Sequence, residues 1–375
     1  MPSTHRIRPP IPPVDAEPEP GTAAQVWRDL GRDGTIASLF HGPDVDERYG
    51  LAPLRLAALL TDLDARYDLG TTLGVCVQLA AALPLLRDLP GQQALAVRRR
   101  AERGETTVAL AATDDGVPGS DLTAMTTRID HDPDTGQWTL HGGKRWITNA
   151  TTAEYALVLA RHRPGTHFTD FSLVLLPLDT PGVRVEAEPT DCFTGSGVGS
   201  LRFESVRLSP DGLPGRPGRG LAAFTRRIGT DRLASGLWAN ALSRRVLAQT
   251  RARLGDRSYL GRTQVQDPAV RQEFAAAVIR QQALQALCAR TCAPGTAGTP
   301  PVAALTATLK AAGAATVDHV VRTCARLQGA DAFRTRGLHR LAAEAAMFGV
   351  AGGTTRVLRD TVADHAEALL DDVPW

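Results

Sequence analysis

A double change of hydrophobic period constrains this 375-residue chain more than any other feature. From Thr22, a residue type suited to a helix N-cap, to about residue 103, the text is rich in Ala and Leu. Its apolar residues recur at helical spacing, as in Leu54, Leu56, Leu59, Leu60 and Leu63. Between residues 106 and 208 it changes to short segments of Val, Thr, Leu and Phe, divided by turn clusters such as Asp132-Pro133-Asp134-Thr135-Gly136 and Pro181-Gly182. Alternation over 137–141 and 171–176 predicts strands. After a Gly- and Pro-rich linker at 211–220 the helical pattern returns, predicting helices over 221–254, 268–292, 302–328 and 338–350, and a last one from about Thr354. Strands gathered between two helical blocks exclude a doubly wound sheet and predict an α+β architecture. The expected parts are a disordered Pro-rich tail (1–20), an N-terminal α-helical domain (21–105), a middle small β-barrel or sandwich domain (106–210) and a C-terminal helical bundle (211–375).

Composition narrows the partners. The formal net charge of +2 comes from 42 basic and 40 acidic residues spread along the chain, so neither nucleic acid nor an anionic membrane is expected to bind. Cys76, Cys192, Cys288, Cys292 and Cys324 are an odd number without a disulfide framework, and the N-terminus lacks an apolar signal core. A cytoplasmic location is the expectation. Cys288 and Cys292 lie one helical turn apart without neighbouring His, which points to core packing and to no metal site. No apolar run is expected to approach the roughly 20 residues that cross a bilayer.

Two ordered motifs in the middle domain carry a resemblance. Thr113-Asp114-Asp115-Gly116-Val117-Pro118-Gly119-Ser120-Asp121 is followed, after one hairpin, by Lys144-Arg145-Trp146-Ile147-Thr148-Asn149-Ala150. The first resembles the Thr-Glu-Pro-x-x-Gly-Ser-Asp run of the acyl-CoA dehydrogenase superfamily, with one extra residue and Asp114 for the usual Glu. The second is similar to that superfamily's Trp-Ile-Thr-Asn strand. Arg257-Ser258-Tyr259-Leu260-Gly261-Arg262 resembles its Arg-x-x-Phe-Gly-x segment, and Gly352-Gly353-Thr354-Thr355 its Glu-Gly-Thr segment. The resemblance covers nearly the whole chain beyond the tail and agrees with the helices-strands-helices order. It implies an N-terminal helical domain, a middle β-domain and a C-terminal four-helix bundle that together bind FAD and act on an acyl thioester.

The resemblance also implies residue roles. Trp146 would pack beside the flavin and Thr148 would reach its N5 region, where electron density accumulates on reduction. Thr113 would line the pyrimidine side and Ser120 would lie near the thioester. Arg257 and Thr354 would meet the pyrophosphate, whose charge calls for Arg and backbone N–H groups. FAD shared across an interface implies a homodimer or homotetramer, and an electron-transferring flavoprotein is the acceptor expected from many members.

A thioester dehydrogenase needs a carboxylate to remove the α-proton, with hydrogen bonds to the carbonyl lowering the α-carbon's pKa. Counting from Gln328-Gly329 places Gly352 where the family carries its commonest catalytic Glu; the Gly352 N–H remains to polarise the carbonyl. Isovaleryl-type branches place the base on an earlier helix, directly before an Arg, and this chain reads Gly229-Thr230-Asp231-Arg232 there. Asp231 is therefore the expected base, with Arg232 as a substrate contact; an Asp at a helix start, capping or pairing with Arg232, is the alternative. Asp331 is a weaker reserve and Glu344 a structural residue. The leading expectation is α,β-dehydrogenation of an acyl thioester on CoA or an acyl carrier protein in a biosynthetic pathway, by an oxidoreductase acting on CH–CH. A flavin-dependent monooxygenase of the same fold, or a non-catalytic or non-redox binding scaffold, stands beside it.

Overall fold

The structure, a computed structural model, describes residues 18–259, 261–295 and 299–371. Most of the tail expected over 1–20, and Leu260, lie outside the described residues. The N-terminal part holds α1 (Ala23–Arg32), α2 (Thr35–Phe40), α3 (Pro53–Arg66), α4 (Leu69–Val77), α5 (Leu83–Asp88) and α6 (Gln92–Glu102). Thr22 caps α1 in a reciprocal box with Gln25, which satisfies two backbone donors at the helix start.

A π turn, Gln78–Ala82, joins α4 to α5, so Leu69–Asp88 forms one continuous rod. That rod is long and apolar enough to cross a bilayer, which corrects the expectation that no run approaches such a length. Its most apolar stretch is 89% buried inside the protein, so its hydrophobicity serves the core. Gln78, in the π turn, docks the rod on the sheet: its amide donates to the Val108 carbonyl at 2.7 Å and accepts from the Val108 N–H at 3.1 Å.

The middle part is a curled sheet of β1 (Val108–Ala111), β2 (Arg128–His131), β3 (Trp138–Ile147), β4 (Tyr155–Arg161), β5 (Phe171–Pro177), β6 (Val183–Ala187) and β7 (Gly199–Arg207). The strand order is β1-β4-β2-β3-β7-β6, with β5 antiparallel to β4 as a branch. Strands β4 and β5 are buried on both faces because helices cover one side and the curled sheet the other.

The C-terminal part is built on α7 (Gly220–Asp256), α8 (Pro268–Cys292) and α9 (Val302–Gln328), followed by α10 (Leu338–Ala345), α11 (Thr355–Asp364) and α12 (Ala366–Asp371). The helix expected over 338–350 ends at Ala345 and tightens into a 3₁₀ turn, Ala346–Gly349. Helices α7 and α9 approach closely through small residues: a side chain at Gly236 would collide with Leu309, and one at Gly313 would meet the Ala239 Cβ at 3.0 Å. Helix α7 is also tied to α3, since buried Asp64 accepts from the Trp238 indole N–H at 3.1 Å and from Arg245 Nε at 2.7 Å. The Trp238 ring meets Phe348 edge-on at 4.9 Å, which sets the 3₁₀ turn against the middle of α7.

Candidate active site

Asp231 lies well inside α7, which excludes the reading of it as a cap at a helix start; among the described residues it forms no salt bridge with Arg232. Its side chain meets the turn after α10. A β-carbon on Gly352 would run into Asp231 Oδ2 and would come within 3.4 Å of Lys310 Cε. Gly352 has φ +67° and Gly353 φ +101°, so the turn uses left-handed backbone that glycine adopts without strain. The Gly352 N–H finds no acceptor among the described residues, an exception for a half-buried backbone donor.

Lys310, buried on α9, fixes this turn by donating to the carbonyls of Phe348 at 3.2 Å and Gly353 at 2.9 Å. Burial raises the Asp231 carboxyl above the ordinary carboxylate range, against the pull of Lys310 and then Arg232. Burial likewise lowers the Lys310 ammonium to about 8, with Asp231 opposing. Arg232 is 9% exposed and its Nε has no hydrogen-bond partner among the described residues; its terminal nitrogen is 3.5 Å from where a Cβ on Gly353 would sit. The chain thus gathers one carboxylate, two cations and a free N–H around the Gly352-Gly353 turn.

The second cluster is in the sheet. Lys144 and Asp114 form a fully buried ion pair at 2.5 Å, and Lys144 also donates to the Ala112 carbonyl at 3.0 Å. Asp114 Oδ2 accepts the N–H groups of Thr126 at 2.5 Å and Thr127 at 2.7 Å. Burial pushes the Asp114 carboxyl up, but Lys144 and these N–H groups outweigh it and hold it below its usual range. This pairing sets the Thr113 loop against β3, where the Thr113 carbonyl accepts the Arg145 N–H at 3.1 Å.

The next residue, Trp146, sits at an irregularity in the β3–β7 register with φ +57°, and its indole is 50% exposed. Positive φ in a bulky residue marks stored strain of the kind that collects at functional sites. The Thr148 hydroxyl, half-buried, has no hydrogen-bond partner among the described residues. The Arg145 guanidinium lies over the Trp146 ring, 5.8 Å from its centroid, and a half-exposed indole beside an unengaged hydroxyl suits a flat heteroaromatic ring with polar edges.

Helix α4 connects the two clusters. The Asn149 amide donates to the Gly74 carbonyl at 3.0 Å, and Cys76, two residues along, faces Asp231, whose charge adds to burial in raising the thiol's pKa. The residue after Thr148 is thus hydrogen-bonded to the same turn of α4 whose Cys76 thiol feels the Asp231 charge.

Arg257 and Asp331 form a cluster of their own. Arg257 donates to the Gln328 carbonyl at 2.9 Å and pairs with Asp331, which also takes Arg253 at 2.9 Å and Arg334 at 3.4 Å. Hydrogen bonding from Arg253 leads the influences that hold Asp331 below the ordinary carboxylate range, so the reserve base is engaged elsewhere. Thr354 caps α11 by accepting the Val357 N–H at 3.4 Å. Ser120 is exposed and its hydroxyl makes no hydrogen bond among the described residues. Glu344 is buried and accepts the Phe193 N–H at 3.1 Å, a structural bond.

Sequence reasoning passed over Lys310. The signal present in the sequence was that of 42 basic residues only Lys144 and Lys310 are lysines; the structure adds that both are buried.

Residues 109–206 match the acyl-CoA dehydrogenase middle domain and residues 218–367 the acyl-CoA dehydrogenase C-terminal domain. The chain is 26% identical over 362 residues to the acyl-[acyl-carrier-protein] dehydrogenase MbtN of Mycobacterium sp. (strain MCS), covering 93% of this chain and 88% of that protein. It is 34% identical to the mitochondrial short-chain specific acyl-CoA dehydrogenase of Bos taurus, over 33% of this chain and 29% of that one. Among solved structures, the FAD complex of PigA superposes with a TM-score of 0.82 at 20% identity, covering 93% of this chain and 91% of that one.

Proposed function

Because the chain belongs to the acyl-CoA dehydrogenase family, we propose that it is an FAD-dependent oxidoreductase that desaturates an acyl thioester, carried by CoA or an acyl carrier protein, with Asp231 as the base. The observation that carries the assignment of the base is steric. The carboxylate of Asp231, delivered from α7, fills the space into which a side chain at residue 352 would project. This supports the reading because the resemblance implies the family's commonest base at this same turn.

The reaction divides among named groups. Asp231 takes the α-proton onto a carboxylate oxygen, and its environment raises its basicity relative to an exposed Asp. The Gly352 N–H, which has no acceptor among the described residues, and the buried Arg232 guanidinium receive the negative charge that develops on the thioester carbonyl oxygen. Bound FAD would supply the acceptor for the hydride leaving the β-carbon, so that a C=C bond replaces two C–H bonds. Trp146 and Thr148 would hold its ring, Thr113 its pyrimidine side, and Arg257 and Thr354 its pyrophosphate; Ser120 would approach the thioester. An Arg257 contact to pyrophosphate requires the guanidinium to share itself with Asp331.

Assembly as a homodimer or homotetramer, an electron-transferring flavoprotein as acceptor, and a biosynthetic role are parts of the same proposal, supported by the family resemblance. The free thiols of Cys76, Cys192, Cys288, Cys292 and Cys324 support a reducing, cytoplasmic setting.

The test is a visible spectrum of the purified protein during anaerobic addition of acyl-CoA and acyl-carrier thioesters. Bleaching of the flavin bands by one thioester class, abolished in Asp231→Asn with FAD still bound, is the expected result. Bleaching that survives in Asp231→Asn removes Asp231 as the base; flavin that no thioester bleaches favours the monooxygenase, and a protein that takes up no FAD favours the scaffold.

A further inference from the structure

We propose that Lys310 is a positioning residue of this site, a built-in ammonium that holds Asp231 as a carboxylate and pins the turn presenting the Gly352 N–H. The inference rests on the reading of Asp231 as the base and deepens it. Its first support is geometric. Asp231 Oδ2 and Lys310 Cε both lie close to the same point, the site of a missing β-carbon on Gly352, which puts them within about 6 Å of each other. The Lys310 ammonium nitrogen is one bond beyond that carbon, and opposite charges at such a range, largely shielded from bulk water, couple.

The second support is the choice of residue. In a chain whose other 40 basic residues are arginines, lysine stands only at 144 and 310, and each is at most 1% exposed. Lys144 is paired directly with Asp114, whereas Lys310 spends its hydrogen bonds on the Phe348 and Gly353 carbonyls. A compact ammonium satisfies two carbonyls from one atom, which a planar guanidinium does with a different geometry, and it keeps its charge near Asp231. The groups facing Asp231 are Arg232 on its own helix, Lys310 on α9 and the Cys76 thiol on α4. The turn after α10 contributes backbone only. Arg232 offsets part of the cost of the half-buried carboxylate; Lys310 is the larger influence.

The test uses the full-length FAD-loaded protein labelled with ¹⁵N at the lysine side-chain amine, which gives two ammonium resonances. In Asp231→Asn, which keeps the shape and removes the charge, the Lys310 ammonium loses the neighbour that favours it. Its titration midpoint is expected to fall by about one unit or more while that of Lys144 stays in place. An unmoved Lys310 midpoint overturns the proposal.

The reciprocal measurement is the pH profile of thioester-driven bleaching in Lys310→Met. The acidic limb should move upward by about one unit or more, a roughly tenfold loss at low pH that recovers as pH rises. A uniform loss with an unmoved limb, in a protein that still holds FAD, reduces Lys310 to a structural residue and overturns the proposal. The lysine titration needs no substrate and does not depend on Lys310→Met folding. It therefore decides the coupling even if no thioester bleaches the wild type, a result that would sink the functional reading instead.

Discussion

Asp231 and Gly352 exclude one another: the carboxylate oxygen of the first occupies the position that any β-carbon on the second would enter. Gly352→Ala therefore combines a collision with a left-handed backbone that alanine adopts at a cost of about 1 kcal/mol. The expected outcome is a loss of roughly a hundredfold or more in the bleaching rate, with FAD retained, because an Ångström of displacement at the base is enough. Adding Asp231→Ala to Gly352→Ala should restore part of the lost melting temperature. Additive losses in the double variant would show that the two positions do not compete for space.

The pH dependence follows from the direction in which Asp231 is shifted. The base acts unprotonated, and burial raises its pKa, so activity should fall as pH drops through a midpoint above the ordinary carboxylate range near 4. A bleaching rate that stays flat down to pH 4 would contradict the assignment.

The Asp114–Lys144 pair is expected to matter for folding and for the cofactor together. Lys144→Met leaves a buried carboxylate whose partner is gone, a change that costs about 3–5 kcal/mol. Melting temperature should drop by several degrees. FAD content should fall with it, because the same carboxylate orders the Thr113 loop through Thr126 and Thr127.

Trp146 should behave in the opposite way. Its indole is half exposed, so Trp146→Ala should change the stability of the FAD-free protein by less than about 1 kcal/mol, and it also relieves a bulky side chain at positive φ. Retention of FAD through gel filtration should nevertheless be lost or weakened. A variant that keeps FAD as the wild type does would remove Trp146 from the cofactor site.

Local pattern made much of this protein legible without coordinates. The change from period 3.6 to period 2 and back exposed the α+β order, because amphipathic faces must repeat with the geometry of their element. Thr22 could be read as a cap from residue type and spacing. The Thr113 and Trp146 segments could be placed together because each lies within one short stretch of chain, and the gap-free count from Gln328-Gly329 singled out Gly352 as the position where the resemblance implies a Glu.

What only the tertiary structure decided are the meetings of side chains far apart in sequence. That Asp231 stands inside α7 and reaches Gly352, some 120 residues later, depends on how closely α7 and α9 cross at Gly236 and Gly313. That Leu69–Asp88 is core and not a span depends on which helices and strands cover it. Lys310, hidden in an ordinary Ala- and Leu-rich helix, gained its meaning only when the fold brought its ammonium to two carbonyls and a carboxylate. The period of a sequence encodes which face of an element is buried, but electrostatics and sterics act through space, and those distances are set by packing.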